Sequence, residues 1–567
     1  MRPSLHLLFA AAATALIACG GGSESPAPSP PTSAPSPQRT PEPSPSPVPE
    51  GSPAIAGIDF AQSMVFASSD PELVLAGNRA TLIKVNVVAP TPLAAKPSGV
   101  VRVEDGSGAL LGELALDAPT GDLPTATPTR PSFDDSYSTI IPAAWVRAGM
   151  RVTPQFTPSA ANEMTVTPRV GGSVELRVVM VPVQIGGAVG QVVSEAEGYL
   201  SARLPAAQIT QGSHAPMVST QVTTLPTTSS EWDSAFSRIL GEIDDLHLLE
   251  NAGSRTLYFG FIPKRSSGIA GMGYRPGNAA VGFDLPSSPN SVRETMTHEI
   301  GHNLSLRHAP CGSATNPDPN YPYANAAMGA GNRFIWGYDA SSNGFIDPRP
   351  TSVHDVMSYC DGDWFSDYNY RLMQVYLTPS DRTLSAVTAS QELLLISGDV
   401  DAQGLHLNPL KSTVGTGRVP DDGPYLLRIT TAAGAVIEQR FASREIDHRA
   451  DRQHFGFTIA HPGPIERVEV LHGGRVMHQR VARARKPSAD PTPGVQVSEQ
   501  GGAVTVRWDS ARQPYLTVTH LGATRTAITL DAQGGAVTLP TGGLPAGGRF
   551  ELGLSDGVNV ERVLVRR

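Results

Sequence analysis

The sequence predicts a multidomain protein: one α/β domain flanked on its N- and C-terminal sides by all-β, sandwich-like domains. Three observations carry that reading. The chain has 567 residues, too many for a single hydrophobic core. Its 56 glycines and 51 prolines point to turn-rich, β-heavy architecture. The hydrophobic pattern changes from short alternating runs to strand–helix–strand units near residue 173, and returns to short strands beyond about residue 385. A net charge of −9 and a pI near 5.9 argue against nucleic acid as a partner. The one short basic cluster, Arg480, Arg483, Arg485 and Lys486, reads as the edge of a linker.

Residues 1–18 read as an export signal. Arg2 supplies a charged start, and the apolar run Leu7–Ala18 is too short to span a bilayer as a permanent helix. Leu16-Ile17-Ala18-Cys19 resembles a bacterial lipobox, which implies lipidation of Cys19 and a membrane anchor. An ordinary signal peptide that ends near a cysteine is the alternative. Residues 19–51 form a Pro-rich linker that cannot bury a core and extends as polyproline II, about 3.1 Å per residue. The expected location is the bacterial cell envelope, as an outer-membrane lipoprotein. With Cys19 lipidated, Cys311 and Cys360 remain, an even pair that suggests one disulfide in an oxidising compartment.

Residues 52–172 are predicted as a β-sandwich, from strands such as Thr81–Val87 and Gly99–Glu104 with turn signals between them. Residues 173–382 are predicted as the α/β domain. Val174–Val181 and Leu257–Ile262 read as buried strands, and Ala279–Phe283 as an edge strand. Between the first two, Trp232, Phe236, Ile239, Leu240, Ile243, Leu246 and Leu249 fall on one helical stripe, with Thr228 and Glu231 at capping-box spacing. Residues 385–486 and 490–567 are predicted as two further β modules. Their seven histidines, His448 among them, show no ligand spacing and read as surface or structural.

The chemistry concentrates in His298-Glu299-Ile300-Gly301-His302. Ser291 and Glu294 have capping-box spacing, so a helix is expected to start there. His298 and His302 then lie four apart on one face, able to share a metal ion, with Glu299 placed to take a proton from a water. Some zinc hydrolases draw a third ligand from a later glutamate, but none occurs between Glu299 and Glu392. His308 is available instead, provided the chain turns sharply after Leu304.

These residues resemble the metzincin clan of zinc proteases, whose motif is H-E-x-x-H-x-x-G-x-x-H; Ser305 stands in place of its glycine. Asp355-Val356-Met357-Ser358-Tyr359 resembles the clan's Met-turn. The resemblance implies an α/β metzincin-like catalytic domain with one catalytic zinc on His298, His302 and His308 and Glu299 as general base. It further implies Met357 beneath the metal, Tyr359 as a transition-state donor, and a Cys311–Cys360 disulfide near the zinc. A non-glycine at 305 costs on the order of 1–2 kcal/mol if the turn is left-handed; Asn303 tolerates that geometry better, so a shifted turn is expected. Ser366 reads as the N-cap of a closing helix. Among families, bacterial lipoprotein metzincins of the mucin-cleaving protease and ToxR-regulated lipoprotein group are most similar, with weaker support from Phe60–Ser63 and Gly77–Arg79. That implies a zinc metalloendopeptidase acting on protein or glycoprotein substrates. The alternatives are a lipid-anchored adhesion protein with a structural or inactive zinc site, for which His354 would be the fourth ligand, and a zinc hydrolase of non-peptide bonds.

Overall fold

The strand Glu175–Ile185 organises the chain in a computed structural model. The structure describes residues 51–263, 268–378, 390–417, 419–483 and 494–567; Cys19, the signal segment and all but the last residue of the linker lie outside them. Alternate residues of this strand point to opposite faces. Val178 and Met180 join a core with Val292, Met296 and Ile300, whereas Val179, Val181 and Val183 join a second core with Phe236, Ile239 and Ile243. The strand pairs in parallel with Thr256–Ile262, Gln208–Ser213 and Met217–Val218. Thr256–Ile262 in turn pairs in parallel with Ala279–Phe283, against which Gly271–Arg275 runs antiparallel.

This sheet does not stop there, and the expected α/β metzincin-like domain between separate β modules is not what forms. Tyr274 and Arg275 pair with Ile446 and Glu445, and Val218 pairs with Thr529, giving one 16-stranded sheet that runs on through strands near the C-terminus. The described residues hold 34 strands against four α-helices, so the molecule is mostly β. The physical reason is edge protection. A parallel sheet with two free edges exposes unpaired N–H and C=O groups, and here distant strands cover both. Ala279–Phe283, expected at an edge, is therefore interior, between Thr256–Ile262 and Gly271–Arg275.

The N-terminal strands Ala54–Ala61, Met64–Ala67, Thr81–Val88 and Tyr137–Ile141 form a sheet that also takes in Trp336–Asp339 and Gly344–Ile346. Ser98–Glu104, Leu110–Leu116 and Arg151–Thr157 make a second, three-stranded sheet, and Val85, Val103 and Val152 share one core with the helix that carries the histidine motif. The residues around Gln62 and Arg79 act as a strut. The Arg79 guanidinium donates to the carbonyls of Leu204 at 2.6 Å, Ser201 at 2.7 Å and Gln62 at 3.0 Å, tying the first sheet to the end of helix α1 (Ala196–Arg203).

Helix α2 (Ser229–Leu249) buries the whole predicted stripe and carries a complete Thr228/Glu231 capping box. Helix α3 (Pro289–Asn303) begins earlier than the capping-box spacing suggested: Ser288 is the N-cap and Pro289 takes the first helical position, where its missing N–H costs nothing. Helix α4 (Asp367–Leu377) starts from Ser366, whose hydroxyl accepts from Asn369 N at 3.3 Å.

The end of α3 aims the third histidine. Leu306 N donates to Gly301 O at 3.0 Å and Ser305 N to His302 O at 2.8 Å, the paired bonds of a Schellman motif. Its left-handed residue is Ser305 itself, at φ 77°, while Asn303 stays helical and spends its amide on the carbonyls of Tyr274 and Ala279. The turn is thus not shifted onto Asn303, and the serine carries the strain. Ser305→Gly is expected to raise stability by about 0.5–1 kcal/mol, the left-handed penalty relieved less the added freedom of the unfolded glycine. A urea-unfolding midpoint that moves down instead would show that the Ser305 side chain makes a contact outweighing the strain.

Candidate metal centre

Helix α3 presents His298 and His302 one turn apart, and the Schellman turn brings His308 back beside them. His302 Nε2 lies 3.2 Å from His298 Nε2 and 3.2 Å from His308 Nε2. The other nitrogen of each ring faces a backbone carbonyl: His298 Nδ1 to Val356 O at 2.7 Å, His302 Nδ1 to Leu306 O at 2.9 Å, His308 Nδ1 to Thr315 O at 2.5 Å. A carbonyl only accepts, so each Nδ1 carries a proton, and each ring in its neutral form turns a bare lone pair inward at Nε2. Burial and the neighbouring imidazoles hold His298 well below its usual pKa, and burial lowers His302 as well. Three inward lone pairs with no proton between them repel one another. A cation removes that repulsion, and histidine nitrogens suit zinc.

The floor of the site is the turn at Met357. Met357 is fully buried, and a Cβ built on Gly301 would stand 2.4 Å from its sulfur, so the helix meets the turn without a side chain between. Asp355 shapes the turn. One of its oxygens accepts from Met357 N at 2.8 Å; the other accepts from Ser366 N at 2.8 Å and Asn369 Nδ2 at 3.0 Å, so one buried carboxylate ties the turn to the start of α4. Burial raises its pKa against these donors. The Cys311–Cys360 disulfide links the loop after His308 to the residue after Tyr359, and Ala309 N donates to Met357 O at 2.9 Å beside it.

Glu299 is buried, and its Oε2 has no hydrogen-bond partner. Burial, then the Asp447 carboxylate nearby, push it well above the usual carboxylate range. Two glycines of the strand Gly271–Arg275 make its room: a Cβ on Gly271 would lie 2.4 Å from Glu299 Oε1, and one on Gly273 would lie 3.2 Å from Oε2. The Tyr359 hydroxyl sits 3.2 Å from Thr315 Oγ1 and 2.9 Å from His448 Nδ1, with its ring stacked on His448. A cavity of about 640 Å³ opens beside His298 and Glu299, between Ile269, Phe283 and Tyr359.

The structure therefore brings together His298, Glu299, His302, His308, Met357, Tyr359 and the two cysteines. His354 is not among them; its Nδ1 faces Asn325 O at 3.0 Å. Two residues at the site were not anticipated. Asp447 Oδ1 lies 3.3 Å from His308 Nε2 and Oδ2 lies 3.4 Å from His302 Nε2, so a carboxylate joins the three imidazoles in one cluster. His448, expected at the surface or in a structural role, stands against Tyr359 with Nε2 2.9 Å from Asp447 Oδ2. Neither carries a local signal: they follow the strand Arg444–Ile446, and only its pairing with Gly271–Arg275 brings them here.

A family-level likeness includes this segment. Residues 262–379 match the Peptidase M66 family. A curated relative, a Dictomallein-like protein of Hahella chejuensis (strain KCTC 2396), is 25% identical over 354 residues, covering 54% of this chain and 52% of the relative. The chain thus spans about half the length of the curated relative it matches. Among solved structures, a β-glycosidase from Bacteroides vulgatus is 9% identical over 91% of this chain and 80% of that chain, with a TM-score of 0.14. A glycosyl hydrolase family 2 member from Bacteroides cellulosilyticus DSM 14838 is 9% identical over 90% of this chain and 78% of that chain, with a TM-score of 0.15. Scores that low carry no argument about fold or activity. The M66 match contains all three histidines, Glu299, Met357 and Tyr359, stops before Asp447, and supports a metal-dependent peptidase.

Proposed function

We propose that the chain is an exported zinc metalloendopeptidase that hydrolyses peptide bonds of protein or glycoprotein substrates. The observation that carries the reading is the convergence of three lone-pair-bearing imidazoles beside a buried, unpartnered glutamate at the wall of a cavity. His298, His302 and His308 would hold a zinc ion, which when bound would supply Lewis acidity to the attacking water and the scissile carbonyl. Glu299 accepts the proton of the attacking water and hands it to the leaving amine. Its unpartnered Oε2 leaves a lone pair free for that proton. The Tyr359 hydroxyl, close to His308 and held by burial in its protonated form, donates to the oxyanion. Met357 and the disulfide act through the ligands, fixing the loop that carries His308. Lipidation of Cys19 and the Pro-rich linker would tether this activity to the bacterial cell envelope.

Wild-type protein is expected to bind one zinc per chain and to cleave casein and a mucin-type glycoprotein. In Glu299→Gln, kcat/KM should fall about 10²–10⁴-fold with zinc content unchanged. Equal cleavage by both proteins would remove Glu299 from the mechanism; no cleavage by the zinc-loaded wild type would favour a structural metal in a binding protein. Stripping zinc with a chelator should abolish cleavage, and zinc should restore it. Gly271→Ala tests the room made for Glu299: its methyl group displaces the carboxylate, so kcat should drop on the order of 10²-fold while zinc stays bound. Unchanged kcat would show that Glu299 works from another position.

A further inference from the structure

Asp447 belongs to a part of the chain well outside the M66 match, yet its carboxylate stands among the histidine nitrogens. Four distances describe the cluster: 3.2 and 3.2 Å between His302 Nε2 and its two histidine partners, and 3.3 and 3.4 Å from Asp447 oxygens to His308 and His302. Ligand atoms about 2.0–2.1 Å from a zinc ion stand about 3.3–3.4 Å apart, and each Asp447 oxygen keeps that spacing from one histidine, Oδ1 from His308 and Oδ2 from His302. We propose that Asp447 is a fourth metal ligand, supplied within the same chain, and that it closes the centre so that hydrolysis requires its withdrawal.

The position is built rather than incidental. Asp447 N donates to Gly273 O at 3.0 Å, one step beyond the Ile446–Tyr274 pair, so the sheet sets where the carboxylate points. Its side chain is only 8% exposed, and Oδ2 lies 3.4 Å from His302 Nε2 and 2.9 Å from His448 Nε2 with no well-aligned hydrogen bond. A buried carboxylate oxygen without a donor, aimed at imidazole lone pairs, is what a cation would satisfy. Asp447 also clusters with Glu299 and His448, so its carboxylate stands beside the general base as well as beside the histidines. Structural zinc sites are closed by four protein ligands, whereas catalytic ones keep a position for water.

The surroundings allow the exchange. His448 and Arg449 line both the 640 Å³ cavity and a second one of about 210 Å³ that reaches His302 and His308. Withdrawal of Asp447 would free one ligand position for a water. His448 remains within reach of the departing carboxylate.

This inference rests on the peptidase reading, and its test separates the two. Full-length wild type, Asp447→Ala and Asp447→Asn are compared; the asparagine variant keeps the side-chain volume should the alanine variant fold poorly. Three quantities are read: the zinc dissociation constant by chelator competition, the visible absorption of the Co²⁺-substituted protein, and casein cleavage. The expected result is a dissociation constant raised at least about tenfold, an altered Co²⁺ spectrum, and cleavage several-fold faster than wild type. Zinc affinity and a Co²⁺ spectrum identical to wild type would overturn the ligand assignment. Changed metal properties with slower cleavage would overturn the closure, making Asp447 a ligand that supports turnover. Changed metal properties with no cleavage by any zinc-loaded protein would uphold the ligand and sink the peptidase reading instead.

Discussion

Everything at the centre follows from how the three imidazoles are oriented. Each donates its Nδ1 proton to a backbone carbonyl, of Val356, Leu306 or Thr315, so no ring can turn to relieve the crowding of the three Nε2 lone pairs. Holding such groups together without a cation opposes folding, and each hydrogen bond to a carbonyl offsets that by about 1 kcal/mol. The remaining features keep those carbonyls in place. Val356 sits in the turn that Asp355 ties to α4, Leu306 is bound back to Gly301 in the Schellman turn, and Thr315 follows the disulfide-linked Cys311.

The left-handed serine shows the same priority. A helix that must stop and reverse so that a residue six positions on can face its own last turn needs φ > 0 at one place, whatever residue stands there. Ser305 accepts it because the bonds on either side, from Leu306 N and Ser305 N to the helix carbonyls, fix the backbone more strongly than the serine resists. Strain held at such a point is common beside functional groups.

What could be read from the sequence was local. The spacing of His298 and His302, the stripe on α2 and the Thr228/Glu231 cap all depend on neighbours within a few residues, and they hold in the structure. The cysteine count pointed to the bond that joins Cys311 and Cys360. What stayed hidden depends on pairing between distant strands. Nothing in the sequence near Asp447 sets it apart from the chain's other acidic residues, because its place at the centre comes from Ile446 meeting Tyr274. The same pairing extends the sheet past the expected α/β segment. A hydrophobic run shows that a strand is buried, but not which strand will cover its edge.

That pairing also fixes an order of events. The strand that leads into Asp447 closes a loop back to Gly271–Arg275 that encloses α3, the disulfide and α4, and loop closure over such a span is entropically costly and slow. His298, His302 and His308 lie within a local stretch of the chain. The carboxylate arrives only when residues 444–460 have added to the sheet. The centre therefore draws on two scales of the chain, three nitrogens from a local stretch and one carboxylate from a distant one, so a complete set of four ligands reports that residues 444–460 have joined the sheet.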